Sequence, residues 1–293
     1  MPVVGIIGLG IMGRPMAVNL VRAGFDVVGH SRRPESGGDL VAAGGRAAGS
    51  VAEVAAAAEI VVLMLPDSSD VELVVLGEDG LLAHSRPGQL LIDMSTVTPQ
   101  TEATVAEAAA ARGVRVLDAP VSGGEKGAID GTLSIMVGGE PEDFARARPV
   151  LDALGGTIEH VGPTGSGQIV KAANQLLVAG IIELVSEALL LVEASGVDAE
   201  AAVRVLAGGL AGNRVLDLKA ATMLARQFQP GFRIDLHYKD LGIVLAAAWD
   251  AGLALPVTGV VAQLFVAARA QGLGSLDHSA LLTVVERLSG PPR

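Results

Sequence analysis

Lysine is almost never fully buried without a partner, yet GSGQIVKAANQ, residues 165–175, sets Lys171 in a segment otherwise small or apolar. Lys171, Asn174 and Gln175 stand at i, i+3 and i+4, so a helix carries all three on one face. An ammonium there could protonate a carbonyl oxygen as hydride reaches the carbon, or take the proton back in the reverse direction. The amides of Asn174 and Gln175 would orient lysine and substrate. Burial is expected to bring such an amine toward the working range of a general acid–base. A lysine snorkelling from a helix start is the structural alternative.

A second chemistry-bearing stretch is GLGIMG, with Gly8, Gly10 and Gly13 enclosing Leu9, Ile11 and Met12. This spacing allows a tight turn, close backbone approach to a pyrophosphate and close strand–helix packing, with a helix N-terminus facing the phosphates. It follows an apolar run and opens a helical pattern, the context a dinucleotide loop requires. The next apolar run ends in GHSRRPE. An NAD site usually has a carboxylate there for the ribose 2′-hydroxyl; here Ser31, Arg32 and Arg33 follow His30. Guanidinium matches phosphate, so NADP is the expected cofactor and NAD the alternative. A solvated basic loop paired to Glu35 would look the same.

Four further stretches end apolar runs or lie on helices. MLPDS carries Leu65 and Pro66, and DMSTVTP carries Ser95 and Thr96; both are expected beside the cofactor or are ordinary turns. DAPVSGGEKGA offers the Ser122 hydroxyl and the backbone amides of Gly123 and Gly124. It can bind a carboxylate as an anion nest or serve as a glycine-rich turn. FRIDLHYKDL supplies Lys239, with Asp240 beside it to neutralise charge, and His237, which reads as a satisfied histidine. The five histidines show no ligand spacing and cysteine is absent, so no metal site is expected.

The elements that must position these residues form an alternating pattern. Apolar runs at 3–7, 26–30, 59–65, 89–95, 114–119 and 131–139 read as strands. Helical patterns stand between them, near 14–23, 50–58, 69–76 and 99–112 and from 141. Alternation implies an α/β, doubly wound parallel sheet covered on both faces. After residue 163 the strand signals stop. Residues 167–196 can run as one helix of roughly 40 Å, apolar on most faces and so expected to be surrounded by protein. Two domains follow: 1–163, dinucleotide-binding, and 164–293, all-helical, beginning with that long helix.

The chain has 293 residues, a formal charge of −11 at pH 7, no cysteine and 2 % aromatics. Its core must be built from Ala, Val and Leu. The charge repels nucleic acid and acidic membranes, and an anionic ligand would need cations gathered locally. Glu183, Glu187 and Glu193 interrupt the most apolar helix, which argues against a membrane span. With no signal-peptide pattern and no disulfides, a cytoplasmic location is expected.

GLGIMGRPM, LIDMSTVTP, DAPVSGGEKGA, GSGQIVKAANQ and FRIDLHYKDL occur in the order seen in the β-hydroxyacid dehydrogenase family, which the chain resembles from Val3 to about Leu288. The resemblance implies a Rossmann domain followed by an all-helical one, with the site between them, assembled as homodimers or homotetramers. It implies Lys171 as acid–base, assisted by Asn174. Ser122, Gly123 and Gly124 would hold a substrate carboxylate, and Gln175 is carried with them. Lys239 would lie near nicotinamide and substrate. Gly8, Gly10, Gly13, Leu65, Pro66 and Thr96 would contact the cofactor. KAANQ and GGLAGNRVLDLKA look most like the tartronate semialdehyde reductase branch, whose substrate is a small aldehyde acid. A 3-hydroxyisobutyrate dehydrogenase is the alternative; an imine reductase, which generally lacks this lysine, or a non-catalytic dinucleotide module are further ones. Two departures stand out: Gln175 where many members have Asn, and HSRRP where similar reductases carry an aspartate.

Overall fold

The structure is a computed structural model that describes residues 1–290. The chain divides into two compact units, Met1–Lys171 and Ala172–Arg293. This division falls inside a helix, whereas the boundary expected from the sequence lies just before it.

The first unit alternates strands and helices: β1 (Val3–Ile7), α1 (Gly13–Arg22), β2 (Asp26–His30), α2 (Gly38–Ala42), β3 (Arg46–Ala47), α3 (Val51–Ala57), β4 (Ile60–Leu63), α4 (Ser68–Leu76), α5 (Leu81–His84), β5 (Leu90–Asp93), α6 (Pro99–Ala110) and β6 (Arg115–Asp118). Then come β7 (Val121–Ser122), α7 (Gly124–Asp130), β8 (Leu133–Gly138), α8 (Pro141–Asp152) and β9 (Gly155–Gly162). The sheet order is β3-β2-β1-β4-β5-β6-β8-β7, with β9 also paired to β8. Pairing is parallel from β3 through β6.

Side chains alternate across each strand, and both faces are covered, which is why these strands read as unbroken apolar runs. Val4, Ile6, Ile60, Val62, Leu90 and Ile92 pack with Met16 and Leu20 of α1 and Val150 and Leu151 of α8. Ile7, Val61, Leu63 and Leu91 face the other way, onto Val54, Val71 and Val105 of α3, α4 and α6. The helix starts are locally encoded. Ser50, Asp67 and Thr98 each accept a backbone N–H at the N-cap of α3, α4 and α6.

Two features depart from the expected parallel sheet. β8 pairs antiparallel with β6 and β7, at Asp118–Gly138 and at Val121–Ile135 and Ser122–Ser134. β9 has no counterpart among the expected strands. Its sequence, GGTIEHVG, is glycine-bounded and largely solvent-facing, so it lacks a buried strand's apolar run.

The helix α9 (Ser166–Ala194) has 29 residues, and its second part belongs to the second unit. There it joins α10 (Ala199–Ala207), α11 (Arg214–Leu224), α12 (Ile234–Asp250), α13 (Pro256–Ala270) and α14 (Leu281–Ser289). Ala179 and Ile182 pack with Ile234, Leu241, Phe265 and Leu281; Val185 and Leu189 pack with Leu216 and Met223. Within the single chain α9 keeps one face uncovered. Leu177, Leu184 and Leu191, spaced seven apart, are 60 %, 64 % and 70 % exposed. By length and hydropathy α9 could cross a bilayer, but it buries Gln168, Lys171 and Glu183 as protein-facing groups.

Candidate active site

The strand order reverses direction at β1 and β4, so a crevice opens beyond their carboxyl ends. Gly8 leaves β1 there, and Leu65 and Pro66 leave β4. The Met64 amide donates to Ile7 O at 2.9 Å, which holds the two exits side by side. Gly8 has φ +102°, and a Cβ on it would collide with the Met64 carbonyl; one on Gly13 would collide with the Gly8 carbonyl. These two glycines are demanded by the protein's own backbone. Gly10 is not, for a Cβ there meets nothing within 4 Å. The space beside Gly10 is what close approach of a pyrophosphate needs. Unlike α3, α4 and α6, α1 has no side-chain cap at its N-cap, Met12, which suits an anion at that end. Within this loop Ile11 is exposed and Met12 half-buried, but the Leu9 side chain is in the core, so only its backbone can face a cofactor.

β2 ends at His30, whose Nδ1 lies 3.0 Å from Ala48 O. Ser31 is half-buried, while Arg32 and Arg33 are exposed. Arg32 pairs with Asp70 at 3.4 Å rather than with Glu35. At the β5 exit, buried Ser95 accepts the Leu65 N–H at 2.9 Å, tying that exit to the one after β4; Thr96 beside it is half-buried.

The Ser122 loop and Lys171 meet within the first unit. β7 is held against β8 by the pairs Val121–Ile135 and Ser122–Ser134. Gly123 and Gly124 both take positive φ, +139° and +62°, so the chain turns into α7 with its amides unscreened by side chains. Lys171 is 6 % exposed, and its Nζ donates to Val121 O at 2.7 Å, one residue before Ser122. Asp118 fixes this helix start. Its Oδ1 accepts the Gly165 N–H at 2.7 Å and its Oδ2 the Gln168 N–H at 3.0 Å. Burial raises the Asp118 carboxyl, and the amides pull against that rise.

In the second unit, Gln175 has side-chain partners of its own. It is 4 % exposed, its Oε1 accepts from Asn174 Nδ2 at 2.7 Å, and its Nε2 donates to Asp240 Oδ2 at 2.6 Å. Its side-chain amide thus bridges Asn174 to Asp240. Asp240 in turn lies 3.1 Å from Lys239 Nζ. His237 is fully buried, with Nε2 3.0 Å from Gln175 O and Nδ1 3.0 Å from His278 Nδ1. A carbonyl can only accept, so Nε2 carries the hydrogen, as expected of a satisfied core histidine. The sequence reading missed Asp118, Gln168 and the bridging role of Gln175. The one available signal was Asp118 at a strand end, ahead of the glycine loop. Among the described residues no three His, Asp or Glu converge as metal ligands.

Residues 3–162 match the NAD-binding domain of 6-phosphogluconate dehydrogenase. Residues 165–285 match the NAD-binding domain of NADP-dependent 3-hydroxyisobutyrate dehydrogenase. The 2-hydroxy-3-oxopropionate reductase of Escherichia coli (strain K12) is 42 % identical over 97 % of both chains. The chain belongs to the β-hydroxyacid dehydrogenase family. This β-hydroxyacid dehydrogenase is therefore an NAD(P)-dependent oxidoreductase. It is also 41 % identical to the 3-hydroxyisobutyrate dehydrogenase of Pseudomonas aeruginosa, over 89 % of the dehydrogenase and 90 % of that relative. A solved structure of the Mycobacterium tuberculosis 3-hydroxyisobutyrate dehydrogenase with L-serine matches it at a TM-score of 0.87 and 35 % identity, covering 97 % and 99 % of the two chains.

Proposed function

We propose that the enzyme reduces the aldehyde of a small 3-oxo-carboxylate, with 2-hydroxy-3-oxopropionate as substrate and glycerate as product. The observation that carries this reading is the buried Lys171 amine, 2.7 Å from the Val121 carbonyl and adjoining the Ser122–Gly124 turn. The Ser122 hydroxyl and the amides of Gly123 and Gly124 bind the carboxylate, which fixes the aldehyde a short distance away, beside the amine. When bound, the nicotinamide supplies hydride to the aldehyde carbon. Lys171 delivers its proton to the oxygen, so C=O becomes CH–OH and the lysine is left neutral, to be reprotonated from water. Fixing both partners in one frame removes the entropy cost of their encounter. Asn174, three residues along the same helix, orients the lysine.

Arg32 and Arg33 support NADPH over NADH, because β2 ends without a carboxylate to hold a 2′-hydroxyl. Self-association through α9 is part of this reading, since Leu177, Leu184 and Leu191 form an apolar stripe in a monomer.

The second reading, a 3-hydroxyisobutyrate dehydrogenase, rests on the Pseudomonas aeruginosa relative, nearly as similar as the reductase. Steady-state assays of small aldehyde and hydroxy acids, each with NADPH and NADH, separate the two. The first reading expects kcat/KM to be highest for 2-hydroxy-3-oxopropionate with NADPH. Higher values for methylmalonate semialdehyde would shift the assignment to the second. Bound nucleotide with no turnover of any acid would remove both.

A further inference from the structure

Beneath the start of α9 lies a fully enclosed polar network in the first unit. Gln168 is 1 % exposed, and its side-chain amide is used on every side. Its Oε1 accepts the Val97 N–H at 3.2 Å, while its Nε2 donates to Ser95 O at 2.9 Å and to Glu102 Oε1 at 2.8 Å. Backbone N–H can only donate and backbone C=O only accept, so this amide has one possible orientation. The Ser95 N–H donates to Asp93 Oδ1 at 2.8 Å. Two oxygens remain, Asp93 Oδ2 and Glu102 Oε2, both buried and without a partner if both groups are ionised. An unsatisfied buried acceptor is costly, and two adjacent carboxylates cannot both ionise in a dry site.

We propose that Gln168 is a positioning residue that locks the Ser95–Val97 loop to the helical turn carrying Lys171, and that one proton shared by Asp93 and Glu102 holds its amide in place. That proton sits on Glu102 Oε2 and is donated to Asp93 Oδ2, which gives both stranded oxygens a partner. The charges facing Glu102 are Asp93 from β5 and Asp118 from β6. From α4, Glu72 turns instead to the Thr101 hydroxyl, and α9 presents the neutral Gln168. Lys171 aims its amine at Val121. Burial is the largest cause raising Glu102 well above its ordinary value, with the charges of Asp93 and Asp118 adding to it; burial also pushes Asp93 up to about 6. Gln168 precedes Lys171 by three residues on the same helix face. Its loop also holds Ser95, which pins the exit after β4, so one amide sets lysine and cofactor-side loops against each other. The kinetic half of this proposal rests on Lys171 being the acid; the proton-sharing half does not.

Glu102→Gln replaces the shared O–H by an amide N–H and keeps an acceptor for Gln168. In the unfolded chain Glu102 releases its proton above about its ordinary value of 4.5, whereas the folded protein retains it. Wild-type stability therefore falls as pH rises through that range, and the variant escapes this loss. Thermal unfolding should show the two proteins alike near pH 4, with the variant's advantage widening as the pH rises above 4.5. A pH-independent difference overturns the shared proton, whether or not any acid is turned over. In kinetics, Gln168→Met and Glu102→Ala should each lower kcat at least about tenfold, the scale of one lost positioning contact, with substrate KM little changed. Glu102→Gln should retain kcat within about twofold. Equal losses in Glu102→Gln and Glu102→Ala, or a fully active Gln168→Met, overturn the positioning role. If Gln168→Met does not fold, the Glu102 pair decides.

Discussion

The glycines of the first loop differ in what they answer to. Gly8 is required by its own dihedral and by the Met64 carbonyl, Gly13 by the Gly8 carbonyl, and Gly10 by nothing in the protein. Gly10→Ala is therefore expected to fold with an unchanged melting temperature while the Kd for NADPH rises at least about tenfold. Gly8→Ala should instead lower stability by about 1–3 kcal/mol, since a side chain there is strained as well as crowded. Calorimetry and nucleotide titration on the same two variants separate these outcomes; equal effects would leave Gly10 without a ligand role. Lys171 admits a similar separation. Lys171→Ala should reduce kcat at least about a hundredfold, the scale of a general acid–base group, with NADPH affinity nearly unchanged. Near-normal turnover would move the proton donor elsewhere. Lys171 stood out in the sequence as a charge among small and apolar residues, and Gly10 by its spacing from Gly8 and Gly13. Gln175 stood out equally, but its bonds to Asn174 and Asp240 were not legible, because sequence shows an amide's presence and never its partners.

At the scale of elements, α9 depends on a cap supplied from 47 residues away. Asp118 bonds the amides of Gly165 and Gln168 at the start of the helix. Gly138 and Gly167 leave room for nothing but that carboxylate, since a Cβ on either would crowd it. Asp118→Ala strands those two buried amides and should cost about 1–3 kcal/mol, the ordinary cost of an unsatisfied buried donor. Urea denaturation measures it directly, and a loss below about 0.5 kcal/mol would deny Asp118 its capping role. The caps at Ser50, Asp67 and Thr98 each lie beside the helix they start. A cap from a distant strand end leaves no such trace in the order of residues.

For the whole molecule, the formal charge of −11 keeps copies apart, whereas the leucine stripe of α9 favours bringing them together. Burying Leu177, Leu184 and Leu191 contributes about 2 kcal/mol each when the transfer is complete. Leu184→Glu is expected to lower the mass observed by light scattering to that of the monomer without loss of helix content. An unchanged mass would exclude this face from self-association.

Periodicity and composition determined the alternating strands and helices, the glycine loop and the long central helix, because a strand covered on both faces or a helix of that length dictates which residue types it can hold. The five motifs identified the family for a related reason: close backbone approach and proton transfer each admit few residues. What only the tertiary structure decided was partnership. The reversal at β8, the edge strand β9, the exposed leucines, the Asp118 cap and the amide partners of Gln168 and Gln175 all depend on which segments meet. Hydrogen-bond partners and buried surface are properties of pairs brought together by folding, and the linear order of residues carries no record of those distances.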